Sequence, residues 1–147
     1  GVPFIINDRP DIALAIGASG VHVGQNDLPV AVARRILGSK AIVGLSTHSH
    51  DDIAAVPEAA DYIAVGPLFE TPTKPGRPAV GLDLVRHAAG AVSLPWFAIG
   101  GISASNIDGV LEAGARRVVV VRAVTQAAKP IDEAALLKDR LAEVPLS

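Results

Sequence analysis

The 147-residue chain carries 13 Lys and Arg against 15 Asp and Glu, a formal net charge of −2, and no cysteine. That balance gives no support for a nucleic-acid or membrane-surface binder, and the missing cysteine excludes disulfides, a thiolate nucleophile and a cysteine metal site. Half of the residues are apolar but only 3% are aromatic, so the core must be built from Ala, Val, Ile and Leu. The length suits one domain over residues 1–147. No apolar run reaches the roughly 18 residues of a spanning helix. Gly1 opens directly on a strand-like run with no basic segment before it, which is neither a signal peptide nor a usual initiator start. The expectation is a chain cut from something longer.

Short β-branched runs recur, each followed by an amphipathic stretch. Phe4-Ile5-Ile6 reads as a strand and Arg9 to Ile16 as a short helix. Val21-His22-Val23 leads to a helix from about Leu28 to Leu37. The strand Ala41 to Leu45 precedes a helix over Asp51 to Ala59. Tyr62 to Val65 runs into a long Pro/Gly/Thr loop, then a helix from about Leu82 to Ala89. Trp96 to Ile99 precedes a helix from about Ala104 to Ala113. Val118 to Val121 is the last strand and Asp132 to Glu143 the last helix. The strands are continuous apolar runs, as expected where both faces are covered. Gly17, Gly38 and Gly114 follow helical stretches, where a left-handed residue is often needed. Ser103 or Ser105 is a candidate cap after Gly100-Gly101, and Asp132 for the final helix.

Strict β/α alternation means a parallel sheet with right-handed crossovers. A doubly wound sheet would need a switch point and usually a Gly-rich first turn. A (β/α)8 TIM barrel instead places polar residues at the C-terminal end of strand after strand. Asn7-Asp8, Gly24 to Asp27, Ser46 to His48, Gly66 to Lys74 and Gly100-Gly101 do so here. The α/β class is therefore read as a TIM barrel with about six β/α units present, two N-terminal units short of closure. Six units leave two open edges, which would allow pairing with a second copy of the chain.

Asp8 and Asp27 sit at the tips of adjacent strands, which lie about 5 Å apart. Hard oxygen donors at an open mouth suit Mg²⁺ shared with substrate phosphates; helix capping is the other reading. Thr71-Pro72-Thr73-Lys74-Pro75-Gly76-Arg77-Pro78 combines hydroxyls, an ammonium and a guanidinium on a proline-stiffened loop. It reads as a phosphate clamp or as a surface connection. Gly100-Gly101, between strand and helix, suits backbone phosphate binding or a tight turn. Ser46 can donate to a phosphate oxygen. His48 invites a general-base reading that no Ser/His/Asp spacing supports. His22, inside a strand, reads as a hydrogen-bonded interior residue, and His50 and His87 as solvated. The four histidines lack metal-ligand spacing.

Phe4-Ile5-Ile6-Asn7-Asp8-Arg9, Gly20-Val21-His22-Val23-Gly24-Gln25-x-Asp27-Leu28, Ser46-Thr47-His48, Val65-Gly66-Pro67-x-Phe69-x-Thr71-Pro72-Thr73-Lys74 and Ala98-Ile99-Gly100-Gly101-Ile102 together resemble the thiamine-phosphate synthase family. The resemblance runs in order over nearly the whole chain. It implies a cytoplasmic transferase that joins hydroxymethylpyrimidine pyrophosphate to a thiazole phosphate and releases pyrophosphate. Its partners would be small phosphorylated substrates, with neither nucleic acid nor membrane. By resemblance, Asn7 contacts the pyrimidine pyrophosphate, Asp8 and Asp27 hold Mg²⁺, and Ser46 and Lys74 hold the pyrophosphate as the catalytic pair. Thr71, Pro72 and Thr73 would line the thiazole phosphate site, closed by Gly100 and Gly101, with Val121 and Arg122 beside it. The implied mechanism is dissociative: pyrophosphate leaves, a pyrimidine carbocation forms, and the thiazole nitrogen captures it. No protein nucleophile or strong base is needed.

Two departures stand out. The family's Gln-x-Arg-x-Lys pattern on an early strand has no match before Gly1. Arg122 stands where the family usually has a small hydroxyl residue, and could either pair directly with phosphate or point out of the site. Two alternatives accompany the synthase reading. One is a thiazole tautomerase-like enzyme, against which the Asp8–Asp27 pair argues. The other is a non-catalytic phosphate-binding fragment.

Overall fold

The computed structural model describes residues 1–70 and 78–144. Its frame is one six-stranded sheet in the order β1-β2-β3-β4-β5-β6, with every neighbouring pair parallel. The strands are β1 Ile5–Asn7, β2 Gly20–Val23, β3 Ile42–Thr47, β4 Tyr62–Val65, β5 Trp96–Ile99 and β6 Val118–Val119. The helices are α1 Pro10–Ala15, α2 Val30–Leu37, α3 His50–Ala54, α4 Gly81–Ala91, α5 Ile107–Glu112, α6 Arg122–Thr125 and α7 Pro130–Ala142. Sequential strand order with right-handed crossovers puts the helices on one face, and the sheet curls into part of a barrel. No described helix is long and apolar enough to cross a membrane.

The core lies between the sheet and its helix layer. Val21, Val23, Val43, Ile63, Val65 and Ala98 pack in one cluster with Ala13, Ala33, Val85, Ala88, Ile107 and Val110 from the helices. Alternate strand residues face the concave side, where His22, Ser46, Tyr62, Phe97 and Ile99 are only half-buried. The expected cover on both faces therefore holds for one face alone. β1 and β6 are the sheet's edges. Phe4, at 61% exposure, leads into the first and Val121, at 51%, follows the second.

Local chemistry moves several expected boundaries. Gly17, Gly38 and Gly114 have φ of 65°, 84° and 108°, so each helix before them ends on a positive-φ glycine as expected. Ser49 caps α3 by accepting the Asp52 N–H at 3.0 Å, and Asp52 accepts from His48 N–H at 2.7 Å. With the Ser49 cap and the Asp52 carboxylate reaching back past it to His48, the helix starts at His50 rather than Asp51. The helix stops at Ala54, ahead of Pro57. Neither Ser103 nor Ser105 caps α5. Asn106 stands at its N-cap, and its side chain folds back onto Ser103 N–H and the Gly101 carbonyl, both at 2.9 Å. Asp132 lies in the first turn of α7, which begins at Pro130 with Lys129 at the cap. The four-residue α6 stands between the last expected strand and the last expected helix, where the sequence predicts none.

A guanidinium clamp closes the end of the sheet opposite the strand tips. Arg34, on α2, donates to the carbonyls of Ala41 and Ala59 and to Asp61 Oδ2. Asp61 also accepts the Val43 N–H at 2.7 Å. One fork thus joins the entries to β3 and β4.

Candidate active site

The C-terminal ends of the strands gather most of the expected site residues. Asn7 ends β1 and pairs in register with His22. Asp8 follows with φ 62°, the sole non-glycine residue at positive φ among those described. A left-handed non-glycine costs about 1–2 kcal/mol, a cost that aspartate bears better than most residues. Asp8 N–H donates to the His22 carbonyl at 2.8 Å, which fastens the bend to β2.

The loop after β2 closes on itself. Gly24 N–H donates to Asp27 Oδ2 at 2.7 Å, and Asp27 N–H to the Gly24 carbonyl at 3.2 Å. Gln25 reaches across to β3, its Nε2 donating to the Ser46 carbonyl at 2.7 Å. The carboxylate of Asp27 is thereby oriented by its own loop, and that loop is tied to Ser46. The Gln25 amide, to which the sequence assigns no role, is the tie.

Ser46 Oγ lies 2.9 Å from His22 Nε2, and His22 Nδ1 lies 3.0 Å from Tyr62 Oη. His22 is thus a bonded interior residue, as expected. Burial pushes the Tyr62 hydroxyl pKa upward. His48 is committed elsewhere: its Nδ1 lies 2.5 Å from the Gly66 carbonyl, an acceptor, so that nitrogen donates. His50 and His87 are not merely solvated, because their rings pack at 4.2 Å between centroids.

Gly100 and Gly101 have φ of 101° and 68°. A Cβ on Gly100 would sit 2.5 Å from Pro67 Cα, and one on Gly101 2.7 Å from Phe69 Cβ. Leu68 N–H donates to the Ile99 carbonyl at 2.9 Å and Phe69 N–H to the Gly100 carbonyl at 3.1 Å. The glycine pair therefore seats the start of the β4–α4 connection against the end of β5. Val121 stands at the N-cap of α6. The exposed Arg122 guanidinium donates twice to Gln126 Oε1, at 3.1 and 3.0 Å. Thr71, Pro72, Thr73 and Lys74 lie outside the described residues. Among those described, no group of three or more His, Asp or Glu could by itself hold a metal.

The family described as thiamine monophosphate synthase matches residues 1–124. The chain belongs to this family. Thiamine-phosphate synthase of Acidothermus cellulolyticus is 57% identical over 145 residues, 97% of this chain and 68% of that protein. The synthase of Nostoc punctiforme is 55% identical over 131 residues, 88% of this chain but 37% of that protein. The chain thus spans from little more than a third to about two thirds of these curated relatives. Among solved structures, thiamine phosphate pyrophosphorylase from Pyrococcus furiosus superposes with a TM-score of 0.86 at 32% identity. That match covers 97% of this chain and 68% of the other.

Proposed function

We propose that the chain forms most of the active site of a thiamine-phosphate synthase, within a (β/α)8 barrel completed by two further β/α units. One observation carries this reading: the family's motifs fall at the C-terminal tips of consecutive strands. There Asp27 is preset by Gly24, and Ser46 by His22. The sheet's two open edges and the length of the relatives beyond the match support the larger barrel. Neither a tautomerase nor a non-catalytic fragment is favoured by these relatives. The substrates are small phosphorylated metabolites, and the setting is cytoplasmic.

The donor set suits a divalent cation. Asp8 and Asp27 offer hard carboxylate oxygens from adjacent strand ends, and Asp27 keeps Oδ1 unbonded among the described residues. Mg²⁺ held there would neutralise charge on the departing pyrophosphate. The residues of the chain do the rest. The C–O bond to the pyrimidine methylene breaks and both electrons leave with pyrophosphate. The thiazole nitrogen lone pair then forms the new C–N bond, and no proton changes hands. Asn7 and Ser46 would hold the pyrophosphate, and Lys74 would follow its growing charge. Thr71, Pro72, Thr73 and the Gly100-Gly101 turn would bind the thiazole phosphate, beside Val121. Arg122, turned onto its own helix, would serve at most as an outer charge.

The test combines the full-length protein with both substrates and Mg²⁺ and measures thiamine phosphate and pyrophosphate. Formation of both in equal amounts is expected. Lys74→Ala should lower kcat and kcat/KM together by about 10²-fold or more, the usual effect of losing one transition-state donor. Absence of thiamine phosphate overturns the reading, and a change confined to KM overturns the role of Lys74.

A further inference from the structure

A hydrogen-bonded line of three side chains crosses the concave face. Tyr62 comes from β4, His22 from β2 and Ser46 from β3, with contacts of 3.0 and 2.9 Å. The strand between Tyr62 and His22 makes room for it. A Cβ on Gly44 would fall 2.1 Å from Tyr62 Cζ and 2.5 Å from His22 Nδ1. Any side chain there would part the two rings. The edge of the Tyr62–Phe97 pair, 5.5 Å between centroids at 78°, holds the phenol from its other side.

The line has a direction. A neutral imidazole offers one donor nitrogen and one acceptor. The Tyr62 hydroxyl lies 3.0 Å from His22 Nδ1 and can donate to it. In the tautomer where Nδ1 accepts, Nε2 carries the ring proton and donates to Ser46 Oγ, 2.9 Å away. A serine oxygen that accepts from histidine keeps its own proton for another partner. The opposite polarity would spend the Ser46 proton on His22 and turn lone pairs toward an anion.

We infer that Tyr62 and His22 are positioning residues that fix Ser46 as a hydrogen-bond donor toward a pyrophosphate-bearing ligand. The choice of ligand rests on the proposed synthase reading; the direction of the line does not. None of the three residues gains or loses a proton during turnover. Their effect is to remove a reorientation from the step in which negative charge grows on the leaving group.

The test has two arms, both on the full-length protein. Histidine-labelled protein, followed by long-range ¹⁵N–¹H correlation, should show His22 as the Nε2–H tautomer. Tyr62→Phe should erase that preference. An Nδ1–H tautomer in the wild type overturns the inference whatever the reaction is. In the second arm, binding of inorganic pyrophosphate with Mg²⁺ and kcat are measured for Tyr62→Phe, Ser46→Ala and the double variant. Tyr62→Phe should cost about tenfold in kcat, the worth of one hydrogen bond. It should cost nothing further in the Ser46→Ala background. His22→Gln, whose amide can donate from a similar position, should retain more activity than His22→Ala. Equal and additive losses from Tyr62→Phe in both backgrounds overturn the positioning role. Failure of the wild type to bind pyrophosphate would instead sink the ligand assignment, while the tautomer result still decides the line.

Discussion

Gly100→Ala should destabilise the protein although it removes no proposed ligand-binding side chain. Two costs arise at once. The backbone at 100 has φ 101°, a conformation L residues rarely adopt, and this costs about 1–3 kcal/mol. The new methyl would sit 2.5 Å from Pro67 Cα, 2.6 Å from Pro67 Cβ and 3.0 Å from the Leu68 nitrogen. Those are backbone and ring atoms with no rotamer to change, so overpacking adds about 1–3 kcal/mol. Relaxation opens the junction and weakens the Leu68–Ile99 and Phe69–Gly100 hydrogen bonds. A net loss of about 3 kcal/mol follows, short of the full sum because one movement relieves both strains. Equilibrium urea unfolding should show a lower midpoint at unchanged m. Hydrogen exchange should quicken first at the Leu68 and Phe69 amides, in the segment that leads to Thr71 and Lys74. A shift under about 1 kcal/mol with both amides still protected would refute this account of the glycine.

Arg34→Ala should cost about 2 kcal/mol in the same assay. Charge-assisted hydrogen bonds are worth about 1.5–3 kcal/mol each, but the half-exposed Asp61 discounts the ion pair. Arg34→Lys should recover little, since one ammonium cannot reach Ala41, Ala59 and Asp61 together. A loss within 0.5 kcal/mol, by the usual limits for neutral surface changes, would dismiss the clamp. Asp11 should titrate at about 2, held low first by the hydrogen bond from Arg9. Because the folded value lies below the ordinary aspartate value of 3.8, its small contribution is present above that pH and fades as pH falls toward 2. In Arg9→Ala, NMR titration should return Asp11 to the ordinary range.

The strand-and-helix order was legible because apolar runs and glycine stops are local signals. Tyr62–Val65 and Trp96–Ile99 agree with the expected strands residue for residue. Placement at strand ends was legible for the same reason: Asn7-Asp8 and Ser46 directly follow apolar runs, and Asp27 lies four residues beyond Val23. Less local features were hidden. Asn106 holds the N-cap position of α5 without capping it, since its side chain is spent on Ser103 N–H and the Gly101 carbonyl upstream, an arrangement that spacing alone does not show. α6 carries no periodic signal because its four residues make barely more than one turn. The contacts of Ser46 and Tyr62 with His22 bridge 24 and 40 positions in sequence. They exist only once the parallel register sets His22 against Gly44 and Gly44 against Tyr62.

That register also explains why one strand can serve two purposes. In β2, Val21 and Val23 are fully buried toward the helices, while His22 between them faces the concave side. In β3, Val43 and Leu45 pack into the core, while Gly44 and Ser46 meet the neighbouring strands' polar side chains. Period-two alternation separates the two sets completely. A substitution such as Val43→Ala removes packing from the core and little from the site. Gly44→Ala adds one methyl on the other face and breaks the line from Tyr62 to Ser46. Small residues on the concave face are therefore spacers for the polar ones. The low aromatic content makes Tyr62 and Phe97 conspicuous, since they stand where a curled sheet has room for large rings.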